Sequence, residues 1–231
     1  YRSRATKLFA QCALFFFLVT SNSVALANSN DQKQLVERAK NTLENFMGDT
    51  RLKWFQNNVK TSTALLIVPQ LLKGAFFFGA EGGSGVLIVR NKDTNDWSEP
   101  AFYTVGGVSF GFQWGAQTSE VIVMARTQGA VEEFNSSSFK LGGDASITAG
   151  PYGLGVEGAT SPNLSADFLS FSRSKGAFAG VSFEGTILHM NNDSNKAYYG
   201  KEVQPIEILH EKAVSNPHSA RLRKTATNAS Q

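Results

Sequence analysis

Gly106 to Gly115 read GGVSFGFQWG, and the fold depends on how this stretch runs. It contains a literal G-x-S-x-G at Gly107-Val108-Ser109-Phe110-Gly111. A nucleophile elbow needs a strand, a strained turn at the serine and a helix leaving it. Here the alternation does not stop at the serine. Val108, Phe110, Phe112 and Trp114 fall on one face, with Gly107, Ser109, Gly111 and Gln113 on the other, which is the period of an extended strand. His189, His210 and His218 all lie far downstream as base partners. Ser109 therefore reads as a small residue on a flat strand face, in a sheet protein without an elbow.

Outward from this stretch the same pattern recurs. From Lys73 onward, short apolar runs (AFFFGA, GVLIVR, AFYTV, EVIVMA, DASITA, DFLSFS, FAGVSFEGTIL) are divided by Gly, Asn, Asp and Pro, as in a series of strands and turns. A short helix is expected at Gly129–Phe134. Upstream, ALLIVPQLL (Ala64–Leu72) reads as a buried strand that Pro69 must interrupt or end, because proline cannot donate to a ladder. Before it, Leu35, Ala39, Leu43 and Phe46/Met47 recur at helical spacing, and a second helix is expected over Arg51–Lys60 with Trp54, Phe55 and Val59 inward. The fold class implied is α+β: N-terminal helices packed on a strongly curved, Gly-rich, mainly antiparallel β-sheet, open or barrel-like. The stretch from His210 to Gln231 loses periodicity and reads as a flexible C-terminal tail.

The first 27 residues differ from the rest. Arg2, Arg4 and Lys7 precede an apolar centre (ALFFFLV, Ala13–Val19), and Ala25-Leu26-Ala27 supplies a small-x-small site. This is the pattern of a signal peptide cleaved after Ala27, and the apolar part is shorter than the roughly 20 residues that span a bilayer. The expectation from this pattern is export. The whole chain has 22 Lys+Arg against 19 Asp+Glu; three of the basic residues lie in the signal, so the remainder is neutral. That removes any broad attraction to nucleic acid. The single cysteine, Cys12, also lies in the signal, which excludes disulfides and thiolate metal sites in the exported part.

The remaining motifs are decoys. Gly153-Leu154-Gly155-Val156-Glu157-Gly158 matches G-x-G-x-x-G, but Pro151 precedes it and Pro162 follows within a turn of helix, so the required strand and helix are missing. NNDSN (Asn191–Asn195) has the composition of a calcium loop without its glutamate and reads as a turn. No metal site, cofactor or catalytic constellation is expected. What remains concerns surfaces. Lys73, Arg90, Lys92, Arg173 and Lys175 sit beside glycine and apolar residues, a neighbourhood suited to anionic lipid headgroups or simply to solvated strand ends. Trp97 is a candidate interfacial anchor or an aromatic covering the core edge. Leu35, Leu43 and Phe46 are candidate membrane contacts of an amphipathic first helix or, as such stripes usually are, the side that covers a sheet.

The wording of several long segments in fixed order, VPQLLKGAFFFGAEGGSGVLIVR, WSEPAFYTVGGVSFGFQWGAQTSEVIVMART, FKLGGDASITAGPYG, LSFSRSKGAFAGVSFEGTIL and AYYGKEVQPIEIL, resembles the SYLF domain family over Asp31–Leu209. The resemblance implies a domain over residues 28–209, non-enzymatic, that binds phospholipids, phosphoinositides among them, and associates with actin. It implies an anionic phospholipid membrane as partner, or alternatively a protein partner in a structural role, actin only where the protein reaches a host. With the signal, the resemblance also implies an exported form that is periplasmic or cell-envelope associated in a Gram-negative bacterium, where the lipids at hand are phosphatidylglycerol, cardiolipin or lipid A.

Overall fold

A computed structural model describes residues 29–75, 78–110, 115–150, 166–174 and 185–231. The expected signal segment, the G-x-G-x-x-G at 153–158 and Lys175 lie outside them. The chain opens with α1 (Ser29–Gly48), whose residues Leu35, Val36, Ala39, Leu43 and Phe46 are buried at helical spacing. Asp49 caps a 3-10 turn at Thr50–Leu52, and α2 (Lys53–Asn58) follows with Phe55 and Val59 inward. Trp54 is half-buried and stacks on Phe171, centroids 5.7 Å apart. Four long strands come next: β1 (Ala64–Ala75), β2 (Phe78–Val89), β3 (Ala101–Phe110) and β4 (Gly115–Ala125). They are followed by α3 (Gln128–Glu133), β5 (Ser138–Lys140), β6 (Ile147–Ala149), β7 (Phe168–Ser174), β8 (Ile187–Met190), α4 (Asn192–Tyr199), α5 (Pro205–Leu209) and α6 (Ala220–Ala229).

The strands form one sheet in the order β5-β8-β3-β2-β1-β4-β7-β6. All described pairings are antiparallel except β6 with β7. β1 stands at the centre and is buried on both faces from Ala64 to Val68, which explains why ALLIV is continuous rather than alternating. Leu65 and Ile67 join one core layer with Val86, Ile88, Phe102, Ile122 and Phe171. Ala64, Leu66, Val68 and Leu71 join the other with Val105, Val121 and Phe168.

Pro69 does not end the strand. The register shifts around it against both neighbours, between Ile67 and Gln70 on the β2 side and between Val68 and Leu71 on the β4 side, so the missing N–H is absorbed in a bulge. The bulge leans on β2. A Cβ at Gly83 would stand 2.6 Å from the Gln70 carbonyl, and one at Gly85 would stand 2.9 Å from that of Ile67. Glycine is required at both positions by close approach.

The sheet is strongly curled into a half-barrel. β5 and β6 occupy opposite edges, yet only residues 141–146 join them, a reach of at most about 25 Å. A flat sheet of eight strands would hold its edges about 34 Å apart. Phe139 of β5 stacks on Phe168 of β7 with centroids 5.9 Å apart, and both rings meet Phe134 edge-on. Leu141 and Ala145 form a bridge across the short connection. The concave layer is thus filled by the curled edges with α3 and α5, while α1, α2, α4 and α6 supply the convex layer.

Three sequence expectations are corrected. Ser109 lies in β3 opposite Gly79, as a strand residue; Phe112 and Trp114 of the expected alternation lie outside the described residues, and Gly115 belongs to β4, not β3. NNDSN is the start of α4: the Asn191 side chain accepts from the Ser194 N–H as an N-cap. The stretch from His210 is no loose tail, since α6 buries Leu222, Ala226 and Ala229 beside α1. The glycines give a direct test of the bulge. Gly83→Val lowers the unfolding midpoint by the equivalent of about 1–3 kcal/mol, whereas Gly82→Val, with only the Val105 carbonyl at 4.0 Å, leaves it unchanged or raises it; thermal melts of the two variants distinguish them.

Candidate functional site

Of the five basic residues singled out from the sequence, the four that are described, Lys73, Arg90, Lys92 and Arg173, do not converge. Lys73 is on the concave side of β1, ion-paired to Glu81 at 2.5 Å, and Glu81 also accepts from the Thr186 hydroxyl and lies over Gly107. Arg90 and Lys92 stand at the other end of the same strand pair, because Ala64 faces Val89 while Lys73 faces Glu81. That is roughly 30 Å along the strand. Arg90 donates to the Lys60 carbonyl; Lys92 is exposed in the following turn. Arg173 is on the convex side, held by Glu120 at 2.7 Å and Asp49 at 3.2 Å.

The candidate membrane contacts are buried. Leu43 and Phe46 have no exposure, Leu35 has 8% and Trp97 2%. They form the convex core together with β1 and β2, and entering a bilayer would strip the sheet of its cover. Trp97 instead bridges Arg90 at the core edge.

Two carboxylates hold the helical layer in place, and nothing local in the sequence marks either. Glu120 of β4 accepts from Thr42, Asn45 and Arg173, which fastens α1 to β4 and β7. Buried Glu99 accepts from Arg223 at 2.7 Å and from the Asn216 N–H at 3.3 Å, while the Arg223 Nε–H donates to the Trp97 carbonyl. This fastens α6 to the β2–β3 connection. A cleft of about 240 Å³ lies there, lined by Trp97, Glu99, Leu209, His210 and Arg223 among others. The Arg51 guanidinium, helped by the Arg51 N–H and by Arg173, holds the Asp49 carboxyl down to about 2. Hydrogen bonding to Glu120 pushes Arg173 up, and burial pushes Tyr103 up. Among the described residues no group of three or more His, Cys, Asp or Glu is placed to hold a metal ion, and no helix is long and apolar enough to cross a membrane.

The polar surface of the helical layer is the distinctive feature. Residues 29–62 and 217–231, which contain α1, α2 and α6, hold nine Lys/Arg against four Asp/Glu. Residues 63–216 hold ten against fifteen. The neutrality of the chain after Ala27 is therefore the sum of a basic layer and an acidic body. Arg38, Lys53, Arg221 and Lys224 are exposed on that layer, and α1 lies beside α6 through His218–Glu37 at 3.7 Å and Thr225–Glu44 at 3.4 Å.

Together these features define an α+β half-barrel that meets its surroundings through surfaces. The model of the Ysc84 family, described as Las17-binding protein actin regulator, matches residues 106–229. LAS seventeen-binding protein 3 of Saccharomyces cerevisiae is 35% identical over 154 residues, covering 65% of this chain and 33% of the relative. SH3 domain-containing YSC84-like protein 1 of Homo sapiens is 32% identical over 145 residues, covering 62% and 42%. The chain belongs to the Ysc84 family, the SYLF domain family that its segments resemble. Its match spans about a third to two fifths of the length of these relatives.

The Asp49 carboxylate gives a pH test. Its folded value lies below the ordinary one, so its stabilisation is present above the ordinary carboxylate range and is lost as pH falls toward about 2. The unfolding free energy of the native chain falls more steeply between about pH 4 and 2 than that of Asp49→Asn, as read by denaturant unfolding at each pH.

Proposed function

We propose that the chain is a non-enzymatic module that seats on an anionic phospholipid surface through its helical layer. The observation that carries this reading is the separation of charge: nine basic against four acidic residues in the segments that form the layer, and an excess of acid in the body. An anionic surface attracts the basic side and repels the acidic one, so it orients the molecule as well as binding it. The contact is made by exposed lysine and arginine heads rather than by inserted apolar residues, which are committed to the core. With export as read from residues 1–27, the surface is rich in phosphatidylglycerol or cardiolipin.

A second reading is favoured by the family description as an actin regulator and by the similarity to LAS seventeen-binding protein 3. The same module then presents a protein-binding surface in an actin-associated assembly. The two readings use separable surfaces and are compatible.

Co-sedimentation with vesicles tests the first. Each basic residue near an anionic surface contributes about 1 kcal/mol, so Lys53→Gln, Arg221→Gln and Lys224→Gln together weaken binding to phosphatidylglycerol vesicles roughly 100-fold. Lys201→Gln with Lys212→Gln on the body leaves it unchanged. Equal pelleting of all three proteins, or pelleting with pure phosphatidylcholine that is insensitive to salt, contradicts the reading.

A further inference from the structure

The helices cover only part of the convex face. They lie over the rows of Leu65, Ile67, Val86 and Phe102; beyond the Pro69 bulge no described helix covers the face. The register runs a single row across it: Leu72 of β1 faces Gly82 of β2, Gly82 faces Gly106 of β3, and Gly106 faces Ile187 of β8. Leu72 is 53% exposed and Ile187 49%. Two large apolar side chains thus stand as walls, three strand spacings or about 14 Å apart, over a floor of two glycines.

The floor glycines are not explained by folding. At Gly83 and Gly85, on the opposite face, a Cβ would run into the β1 bulge. At Gly82 and Gly106 it would meet nothing nearer than a carbonyl at 4.0 and 3.9 Å, and at Gly74, diagonal to Gly82, nothing within 4 Å. None of the three has a positive φ. Glycine inside a strand is unfavourable by roughly 0.5–1 kcal/mol relative to alanine. What it supplies here is a bare backbone against which another body can lie closely.

We propose that this channel along β2 and β3 docks an amphipathic helix of a partner protein, one that carries acidic residues along the borders of its apolar face. Three observations favour that occupant. The width between the walls accommodates a helix, whose diameter with side chains is about 10–12 Å. The chain already closes the adjoining part of this face with an amphipathic helix, α1, and a cleft of about 210 Å³ lined by Leu35, Arg38, Leu72 and Gly82 marks where α1 stops covering it. The border charges are basic: exposed Arg38 flanks the Leu72 side and exposed Lys140, opposite Ile187, the other. The one described acid of the neighbouring strands on this face, Glu120, is taken up by Arg173, Thr42 and Asn45. A partner helix laid here uses the groove mode of recognition, on a surface that adjoins the basic layer proposed to meet lipid and shares Arg38 with it.

The test is an NMR titration of the isotope-labelled protein with a model peptide. The peptide has about 18 residues, enough to be helical, with Leu and Ala on one face and Glu along its borders; its twin has Lys for every Glu. The acidic peptide shifts the amides of Leu72, Gly82, Gly106 and Ile187, and the basic twin does not. Gly82→Val and Leu72→Glu, each with an otherwise unchanged spectrum, weaken the acidic peptide about tenfold or more. Shifts elsewhere, equal response to both peptides, no response, or shifts at the row produced only by phosphatidylglycerol vesicles or by raising the protein concentration would each overturn the proposal.

Discussion

The constraint on which this structure depends is that β1 is apolar on both faces. Ala64 to Val68 alternate between two core layers and have essentially no exposure, while both edges of the strand are paired, to β2 and to β4. A strand of this kind needs a cover above and below. The concave cover comes from curling the sheet until Phe139 and Phe168 stack, with α3 and α5 filling the interior. The convex cover comes from the two termini of the described chain, α1 and α6, which meet although nearly the whole domain lies between them. Half-buried Glu120 holds α1 to the sheet through Thr42 and Asn45, and buried Glu99 holds α6 to the β2–β3 connection through Arg223, where removing one partner of the pair leaves a charge poorly compensated.

This arrangement sets what each surface is available for. The apolar stripe of α1 faces inward, so its outward face is left with charge, and together with α2 and α6 it forms a basic layer over an otherwise acidic body. Where the layer stops, the sheet is floored by glycine and walled by Leu72 and Ile187.

Much of the fold is legible in the sequence because it is carried by periodicity. Alternation through Ser109 rejected the elbow, the unbroken ALLIV announced a strand buried on both sides, and the α1 stripe has helical spacing. The failures have physical reasons. In ARLRKTATNA the inward positions of α6 are Leu222, Ala226 and Ala229, and a stripe made mostly of alanine scarcely differs from a solvated segment. Leu35, Leu43, Phe46 and Trp97 are apolar whether they face lipid or core, so sequence leaves that choice open. Lys73 and Arg173 look available until Glu81 and Glu120 are brought beside them by strand pairing. Glu99 and Arg223 are 124 positions apart, and only folding makes them a pair. The charge separation was hidden by summing over the chain: the sum is zero, and the spatial distribution is what matters.

The most direct test of the claim that the C-terminal helix completes the cover of β1 is denaturant unfolding of the chain shortened at Asn216, set against the full chain. Loss of Leu222, Ala226, Ala229 and the Arg223–Glu99 pair is expected to lower the unfolding free energy by about 4 kcal/mol within a single cooperative transition. An unchanged midpoint and slope would show that the helix is an appendage, and the account of a β1 covered on its convex side by α1 and α6 together would be wrong.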